Sequence, residues 1–262
     1  MARVNVNRRR FLGAAALFAP TVLGGCKVLD GLRDNDAPVR NFFEAANGLT
    51  YRAQRLLGGG GRLAPEYQPG DIRQAQRPNG VTAPQDEDYL ALQSADFAGY
   101  QLAVTGLVEK PLSLSRAVLQ AMPARSQITR HDCVEGWSTI AKWTGVPLAL
   151  VLNEAKPKVE ARYAVFHCYD TIERSLSGGF KYYESIDLID AYHPQTILAY
   201  GLNDAALPIS SGAPLRVRIE RQLGYKMAKY IHTIELVSDF ASIGGGHGGY
   251  WEDNGYDWYA GI

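Results

Sequence analysis

Apolar and polar positions fall into two zones along the chain. From residue 30 to about 96 the apolar residues are scattered among Gly, Pro, Arg and Gln, and a glycine run at 58–61 with Pro65, Pro69, Pro78 and Pro84 breaks any period. This stretch reads as a long irregular arm lying over a core, with a disordered segment as the other reading. One amphipathic helix over residues 39–57 interrupts it, since Phe42, Phe43, Ala46 and Leu49 recur near helical spacing.

From Tyr100 onward the pattern tightens. Leu102, Val104 and Leu107 mark a short strand, Pro111 and Ser113 open a helix through Met122, and residues 127–133 read as another strand. The spacing then predicts an apolar helix over 148–155, a β-rich run over 163–168, a helix near 186–192, and a strand over 197–202 closed by an Asn203-Asp204 turn. Leu215, Val217 and Ile219 alternate with polar neighbours. In a last strand His232, Ile234 and Leu236 share one face, and Ile231, Thr233 and Glu235 the other. Helices and strands mix without a regular βαβ period or an internal repeat, so the class is α+β, or mixed α/β. Residues 241–262 form a Gly and aromatic tail carrying Tyr250, Trp251, Tyr256, Trp258 and Tyr259. It reads as a segment packed across the body, with a docking surface as the other reading.

The start of the chain has a different purpose. Arg3, Arg8, Arg9 and Arg10, with no acid, precede a small and apolar stretch over residues 11–25. That is the layout of an export signal, and the paired arginines before Phe11 and Leu12 look like a twin-arginine signal. The stretch is too short for a bilayer span, which takes roughly 20 apolar residues. Leu23-Gly24-Gly25-Cys26 resembles a bacterial lipoprotein cleavage box, with Cys26 as the acylated residue. The expected location is therefore the periplasm or cell envelope, with a lipid anchor at Cys26. The partition that follows is residues 1–25 as signal, 26–96 as arm, 97–240 as body and 241–262 as tail. Twin-arginine export carries folded cargo, which raises the expectation of a bulky cofactor.

Charge narrows the partners. The chain has 27 basic and 27 acidic residues, so nothing draws the whole molecule onto nucleic acid. Removing residues 1–25 takes away four arginines and no acid, which leaves a mildly acidic protein. Three cysteines, Cys26, Cys133 and Cys168, are too few for a disulfide framework. Cys133 and Cys168 could pair in an oxidising compartment, or one could serve a metal as a thiolate.

Gly244, Gly246 and Gly249 match a dinucleotide fingerprint, but no apolar helix follows them. Residues 58–61 lack the Lys and Ser/Thr of a phosphate loop, and no G-x-S-x-G elbow occurs. The strongest signal is Thr129-Arg130-His131-Asp132-Cys133-Val134-Glu135-Gly136-Trp137, a strand ending in a cysteine with a glycine free to turn the chain. Arg130 and His131 are expected to support a thiolate at Cys133, against the alternative of a buried structural cysteine. Zinc on His131, Asp132 and Cys133 is disfavoured, because adjacent strand residues point to opposite faces. A second signal joins Ser210-Ser211-Gly212-Ala213-Pro214-Leu215-Arg216 to Gly224-Tyr225-Lys226-Met227-Ala228-Lys229. Glycine-opened amides with one Arg and two Lys make an anion receptor, and a solvated charged hairpin is the competing reading.

Taken together, these residues resemble the molybdopterin domain of the sulfite oxidase family. They are most similar to its bacterial twin-arginine branch, which includes periplasmic methionine-sulfoxide reductase catalytic subunits. The motifs that carry the resemblance are Arg130-x-x-Cys133-Val134-Glu135-x-Trp137, Ala191-x-His193-Pro194-x-Thr196, Gly212-Ala213-Pro214-x-Arg216 and Gly224-Tyr225-Lys226-x-x-Lys229, spread over about residues 100–237. The resemblance implies one molybdenum-molybdopterin cofactor per chain. Cys133 would be the only protein thiolate on molybdenum, completed by the pterin dithiolene and oxo or water. Arg216, Lys229 and the amides of Met227 and Ala228 would surround the pterin phosphate. Ser211 stands where the family often has asparagine, Cys168 takes the place of a pterin-contacting threonine, and Asn79 would reach the pterin from the arm. Arg130, His193 and Lys226 complete the expected cofactor set.

Few residues follow Val237, so the immunoglobulin-like C-terminal dimerisation domain of typical sulfite oxidases is not expected. No C-x-x-C-H haem motif occurs, so electrons are expected to pass through a membrane cytochrome or other haem protein. Val134-Glu135-Gly136-Trp137 stands in place of an arginine-rich sulfite pocket. Glu135 would repel a sulfite dianion and, with His131, could supply protons; its other reading is a helix cap. The functional expectation is oxygen-atom transfer coupled to two electrons, reducing a small sulfoxide or N-oxide. Sulfite-type oxidation, a thiol enzyme using Cys133, and a non-catalytic binding module on the same fold are the rivals.

Overall fold

The structure, a computed structural model, describes residues 38–58, 61–175 and 178–262. The export signal and the Cys26 anchor lie outside the described residues, as do two glycines of the 58–61 run. The chain forms two compact units, residues 1–50 and 51–262. What is described of the first is the opening of helix α1 (Pro38–Gly58), where Thr50 Oγ1 donates to the Ala46 carbonyl one turn back at 3.1 Å.

In the second unit the elements run α2 (Glu87–Ser94), β1 (Gln101–Gly106), β2 (Leu112–Ser115), α3 (Arg116–Ala121), β3 (Arg125–Cys133), β4 (Trp137–Pro147) and α4 (Leu148–Ala155). They continue as β5 (Tyr163–Ser175), β6 (Gly178–Asp187), α5 (Leu188–Ala191), β7 (Ile197–Leu202), β8 (Ala205–Ala206), β9 (Arg216–Arg218), β10 (Ile231–Val237) and α6 (Tyr250–Asp253). Two sheets result. One has the order β2-β1-β10-β5-β6, with only β1 and β10 parallel; the other runs β3-β4-β7-β8, with β9 also on β7. The class is mixed α/β, as expected.

The core follows from periodicity. In α4, Leu148, Val151, Leu152 and Ala155 fall on one helical stripe and all are fully buried. They join Leu102 and Val104 of β1, Phe166 of β5 and Ile234 and Leu236 of β10 in one large apolar cluster. Each such aliphatic burial contributes about 1.5–3 kcal/mol. A smaller cluster of Ala141, Trp143, Ile197, Ala199, Leu202 and Leu207 backs the second sheet. Asp86 caps α2 by accepting from the Tyr89 amide, and Glu87 and Asp88 favour its first turn.

Several expectations shift. Residues 112–115 pair with β1 as a strand before Ser115 caps a shorter helix. The expected helix near 186–192 starts later, because β6 runs to Asp187, which then caps α5 through the Asp190 amide. A bulge between Ile231 and Thr233 puts Ile231 on the buried side with Ile234 and Leu236, leaving His232 half-exposed. The arm holds more order than expected, with α2 and a short 3-10 turn over Pro69–Asp71. Neither β4 nor β6 was expected. After Val237 the described residues add no further sheet. The tail lies against β6, where Trp258 Nε1 donates to Ser185 Oγ at 2.8 Å. Among the described residues no helix is long and apolar enough to cross a membrane.

Candidate active site

Cys133 ends β3 opposite Trp137, the first residue of β4, in a tight hairpin. The Gly136 amide donates to the Cys133 carbonyl at 3.1 Å, and Gly136 has φ +81°, a left-handed conformation that side chains resist. This turn brings the thiol to the hairpin mouth, half-buried. Burial pushes its pKa up and Glu135 adds to this; the amides of Glu135 and Val134 and the Arg77 guanidinium oppose it. Support for a thiolate therefore comes from Arg77 and the turn amides. The expected helpers face elsewhere: Arg130 pairs with Asp132 at 2.9 Å, and His131 turns inward to Arg218.

Glu135 lies in the turn and caps no helix. It accepts from Trp137 Nε1 at 2.8 Å and sits 3.5 Å from Arg77. Arg77 lies 5.1 Å from the Trp137 ring centroid, and the His131 ring centroid lies 5.5 Å from it. Nothing in the sequence pattern singled out Arg77, because it belongs to the irregular arm.

Strand alternation sends Gln127, Thr129 and His131 inward, and all three are buried. His131 Nδ1 lies 2.8 Å from Arg218 Nη1. Burial, then the charges of Arg218, Arg216 and Lys229, push the His131 pKa well below its ordinary value. Arg218 is fully buried and forks onto Glu220 at 3.0 and 2.7 Å. Arg216, one pleat along, has no such partner. It donates to the carbonyls of Ser211 at 3.0 Å and Met227 at 3.4 Å, lies 4.9 Å from the Trp143 ring centroid, and leaves Nε buried without a hydrogen bond. Burial and neighbouring Arg218 bring Arg216 down to about 9. Lys229 donates to the carbonyls of Asn79 at 2.6 Å, Ser210 at 3.1 Å and Val81. Burial and Arg216 bring it down to about 7. Asp170 is the acid that acts on Lys229, and burial holds its own carboxyl up at about 7.

Buried cations that hydrogen-bond only to carbonyls, with carboxylates near but none in ion-pair contact, are costly unless an anion completes them. The pocket therefore suits a ligand that carries negative charge and accepts several hydrogen bonds. Asn79 joins it by donating to the Gly224 carbonyl at 3.5 Å. Gly224 is required here, since a Cβ would come within 2.5 Å of the His131 ring. Cys168, buried with its thiol pushed up by burial, lies in the field of Asp170 and Lys229. Ala228 is buried beside them and accepts from the Val217 amide at 2.9 Å, while the Met227 amide is directed to the Gly224 carbonyl at 3.1 Å.

Three expected cofactor residues stand apart. The Lys226 ammonium is enclosed by Glu184, at 2.5 Å, and Glu252. His193 places Nε2 3.0 Å from the Arg62 carbonyl and accepts the Gln195 amide on Nδ1. Arg130 is on the outward face of β3 with Asp132. There it lines a cleft of about 570 Å³ with Arg62, Tyr67, Glu220 and Arg221, a cleft that does not include Cys133.

Cys133 and Cys168 are free thiols. Among the described residues no group of three or more His, Cys, Asp or Glu side chains could hold a metal ion. A metal at Cys133 would therefore take one protein sulfur and draw its remaining ligands from a bound organic group. The donor set fits that requirement: a single soft thiol at the hairpin mouth, and a cation pocket whose Arg216 Nε has no protein partner.

Comparison with known proteins agrees. The model of the oxidoreductase molybdopterin binding domain matches residues 89–242. A protein of Azospira oryzae with the provisional name protein-methionine-sulfoxide reductase subunit YedZ1 is 34% identical over 97% of this chain and 87% of its own length. The protein-methionine-sulfoxide reductase catalytic subunits MsrP of Xanthomonas campestris and Gluconobacter oxydans are each 37% identical over 56% of this chain, covering 48% and 50% of their own lengths. The chain thus spans about half of those two relatives. The sulfane dehydrogenase SoxCD of Paracoccus pantotrophus aligns with a TM-score of 0.47 and 22% identity, over 54% of this chain and 39% of that one. With more than half of its length matched by the family model, the chain belongs to the oxidoreductase molybdopterin-binding domain family, whose cofactor is molybdenum-molybdopterin.

Proposed function

We propose that this protein is an exported catalytic subunit that reduces a small sulfoxide or N-oxide. The observation that carries this reading is a half-buried Cys133 thiol two residues from His131, whose ring lies in the field of Arg216 and Lys229, both buried without carboxylate ion pairs. Cys133 would ligate molybdenum. Arg216 and Lys229 would hold the pterin phosphate, with Asn79, Ser211, Cys168, Met227 and Ala228 around the organic portion. When bound, the cofactor supplies two-electron oxygen-atom transfer.

The names of the relatives support sulfoxide as the substrate class. Reducing a sulfoxide to sulfide and water consumes two electrons and two protons. Glu135 is the group suited to pass protons, because it sits in the turn after Cys133 with its carboxylate half-exposed and oriented by Trp137 Nε1. His131, expected to share that role, is buried with Nδ1 facing a guanidinium, and is a poorer carrier. Arg77 and Glu135 together present no net charge at the hairpin mouth, which suits a neutral substrate. The electrons would come from a membrane cytochrome or other haem protein. The twin-arginine motif and Cys26 support a periplasmic protein held by a lipid anchor.

Metal and pterin analysis of protein matured in molybdenum-replete cells tests the reading. The expected result is about one of each per chain, with Cys133→Ala inactive but folded. A panel of sulfoxides, N-oxides and sulfite with a redox dye then ranks substrates; turnover of sulfite alone would overturn the reductive reading.

A further inference from the structure

The pocket holds a second buried donor without a partner besides Arg216 Nε. His131 is 3% exposed, and its Nε2 makes no hydrogen bond within the protein. Its other nitrogen is engaged: Nδ1 lies 2.8 Å from Nη1 of Arg218. A guanidinium has only donors to offer, so Nδ1 must be the acceptor, and the ring's single proton sits on Nε2. An imidazolium would set two N–H groups against each other across that distance.

Arg218 is itself held on every side. Glu220 binds it bidentately, Gln127 Nε2 donates to Glu220 at 2.8 Å and to the Gln195 carbonyl at 3.0 Å, and the Trp143 ring centroid lies 4.4 Å from the guanidinium carbon. The ring of His131 is flanked by Trp137, 5.5 Å away between centroids, and by the bare Cα of Gly224. The orphan Nε2–H lies beside Gly224, where an added Cβ would come within 2.5 Å of it and whose carbonyl accepts from Asn79, and the charges of Arg216 and Lys229 act on the ring.

We infer that Arg218 and Glu220 are positioning residues that lock His131 in its Nε2–H tautomer, so that His131 donates a hydrogen bond to the anionic cofactor gripped by Arg216 and Lys229. This rests on the cofactor site proposed above and changes the part played by His131 from proton carrier to fixed donor.

Nitrogen-15 NMR of histidine-labelled full-length holoprotein reads the lock directly. The chain has five histidines, and His131→Gln assigns the signal. The expected pattern is a protonated Nε2 and an accepting Nδ1, becoming a mixture of tautomers in Arg218→Met. In a second measurement, His131→Phe should lose molybdenum and pterin on dialysis on the order of tenfold faster than wild type, with His131→Gln, whose amide can still donate, in between. A protonated Nδ1, or a His131→Phe protein that keeps its cofactor as wild type does, overturns the inference. A wild-type protein with no molybdenum or pterin would instead sink the cofactor reading, and the NMR pattern would still decide whether Arg218 locks the ring.

Discussion

Lys226 and Lys229 lie three residues apart, both buried, in opposite surroundings. Lys226 is enclosed by Glu184 and Glu252; burial alone would lower its pKa, but the two carboxylates raise it overall. Glu252 belongs to α6, so this cation fastens the aromatic tail to β6. Lys229 faces carbonyls of the arm and of Ser210, next to Arg216, and its pKa falls. One lysine is completed by the protein and serves the fold. The other is left for a ligand and serves the site. Position in a motif did not separate them; their partners did.

The comparison can be broken most forcefully at Lys226. Lys226→Met would leave Glu184 and Glu252 buried without a cation, and the expected loss is about 3–5 kcal/mol in urea unfolding. Little change in the midpoint would mean that the cluster holds nothing together. Lys229→Met should behave in the opposite way. Unfolding of the cofactor-free protein would be unchanged or more costly by up to about 2 kcal/mol, because a buried charge with no ion-pair contact is gone and Asp170, held up at about 7 by its own burial, can stay protonated. Molybdenum and pterin content would drop.

The pH dependence sharpens the contrast. Lys229 has a pKa of about 7 when folded, against 10.5 as the ordinary value. Between those values the unfolded chain binds the extra proton, so stability of the cofactor-free protein should rise with pH across that window. The slope from this group is at most about 1.4 kcal/mol per pH unit, and the burial penalty is fully present below pH 7. Lys229→Met should remove this component. Protein prepared from cells unable to make molybdopterin, unfolded in urea at several pH values, provides the check. The smallest effect is expected at Arg130, whose exposed pair with Asp132 is worth about 0.5 kcal/mol or less. Arg130→Ala should leave cofactor content unchanged, and a protein emptied of cofactor by this change would return Arg130 to the site.

Much of this could be read from the sequence where local pattern and fold agree. The stripe of Leu148, Val151, Leu152 and Ala155 gave the bounds of α4, and the apolar run over 197–202 those of β7. The turn after Cys133 followed from Gly136. Partners distant in sequence were illegible. Glu184 sits in β6, whose run of Lys181, Tyr182, Tyr183, Glu184 and Ser185 shows no alternation because both faces of the strand are buried from Tyr182 onward. With β6 unrecognised, the neutralisation of Lys226 had no signal. Arg218 and Glu220 looked like the solvated half of an alternating strand, yet both are buried because each satisfies the other. Arg77 was hidden in the arm, where no periodicity ranks one residue above another.

Molybdenum-edge X-ray absorption on the cofactor-loaded protein tests the central claim most directly, because it counts the sulfur atoms on the metal. Wild type should show one sulfur more than Cys133→Ala at equal pterin content. The same sulfur count in both proteins would contradict the account.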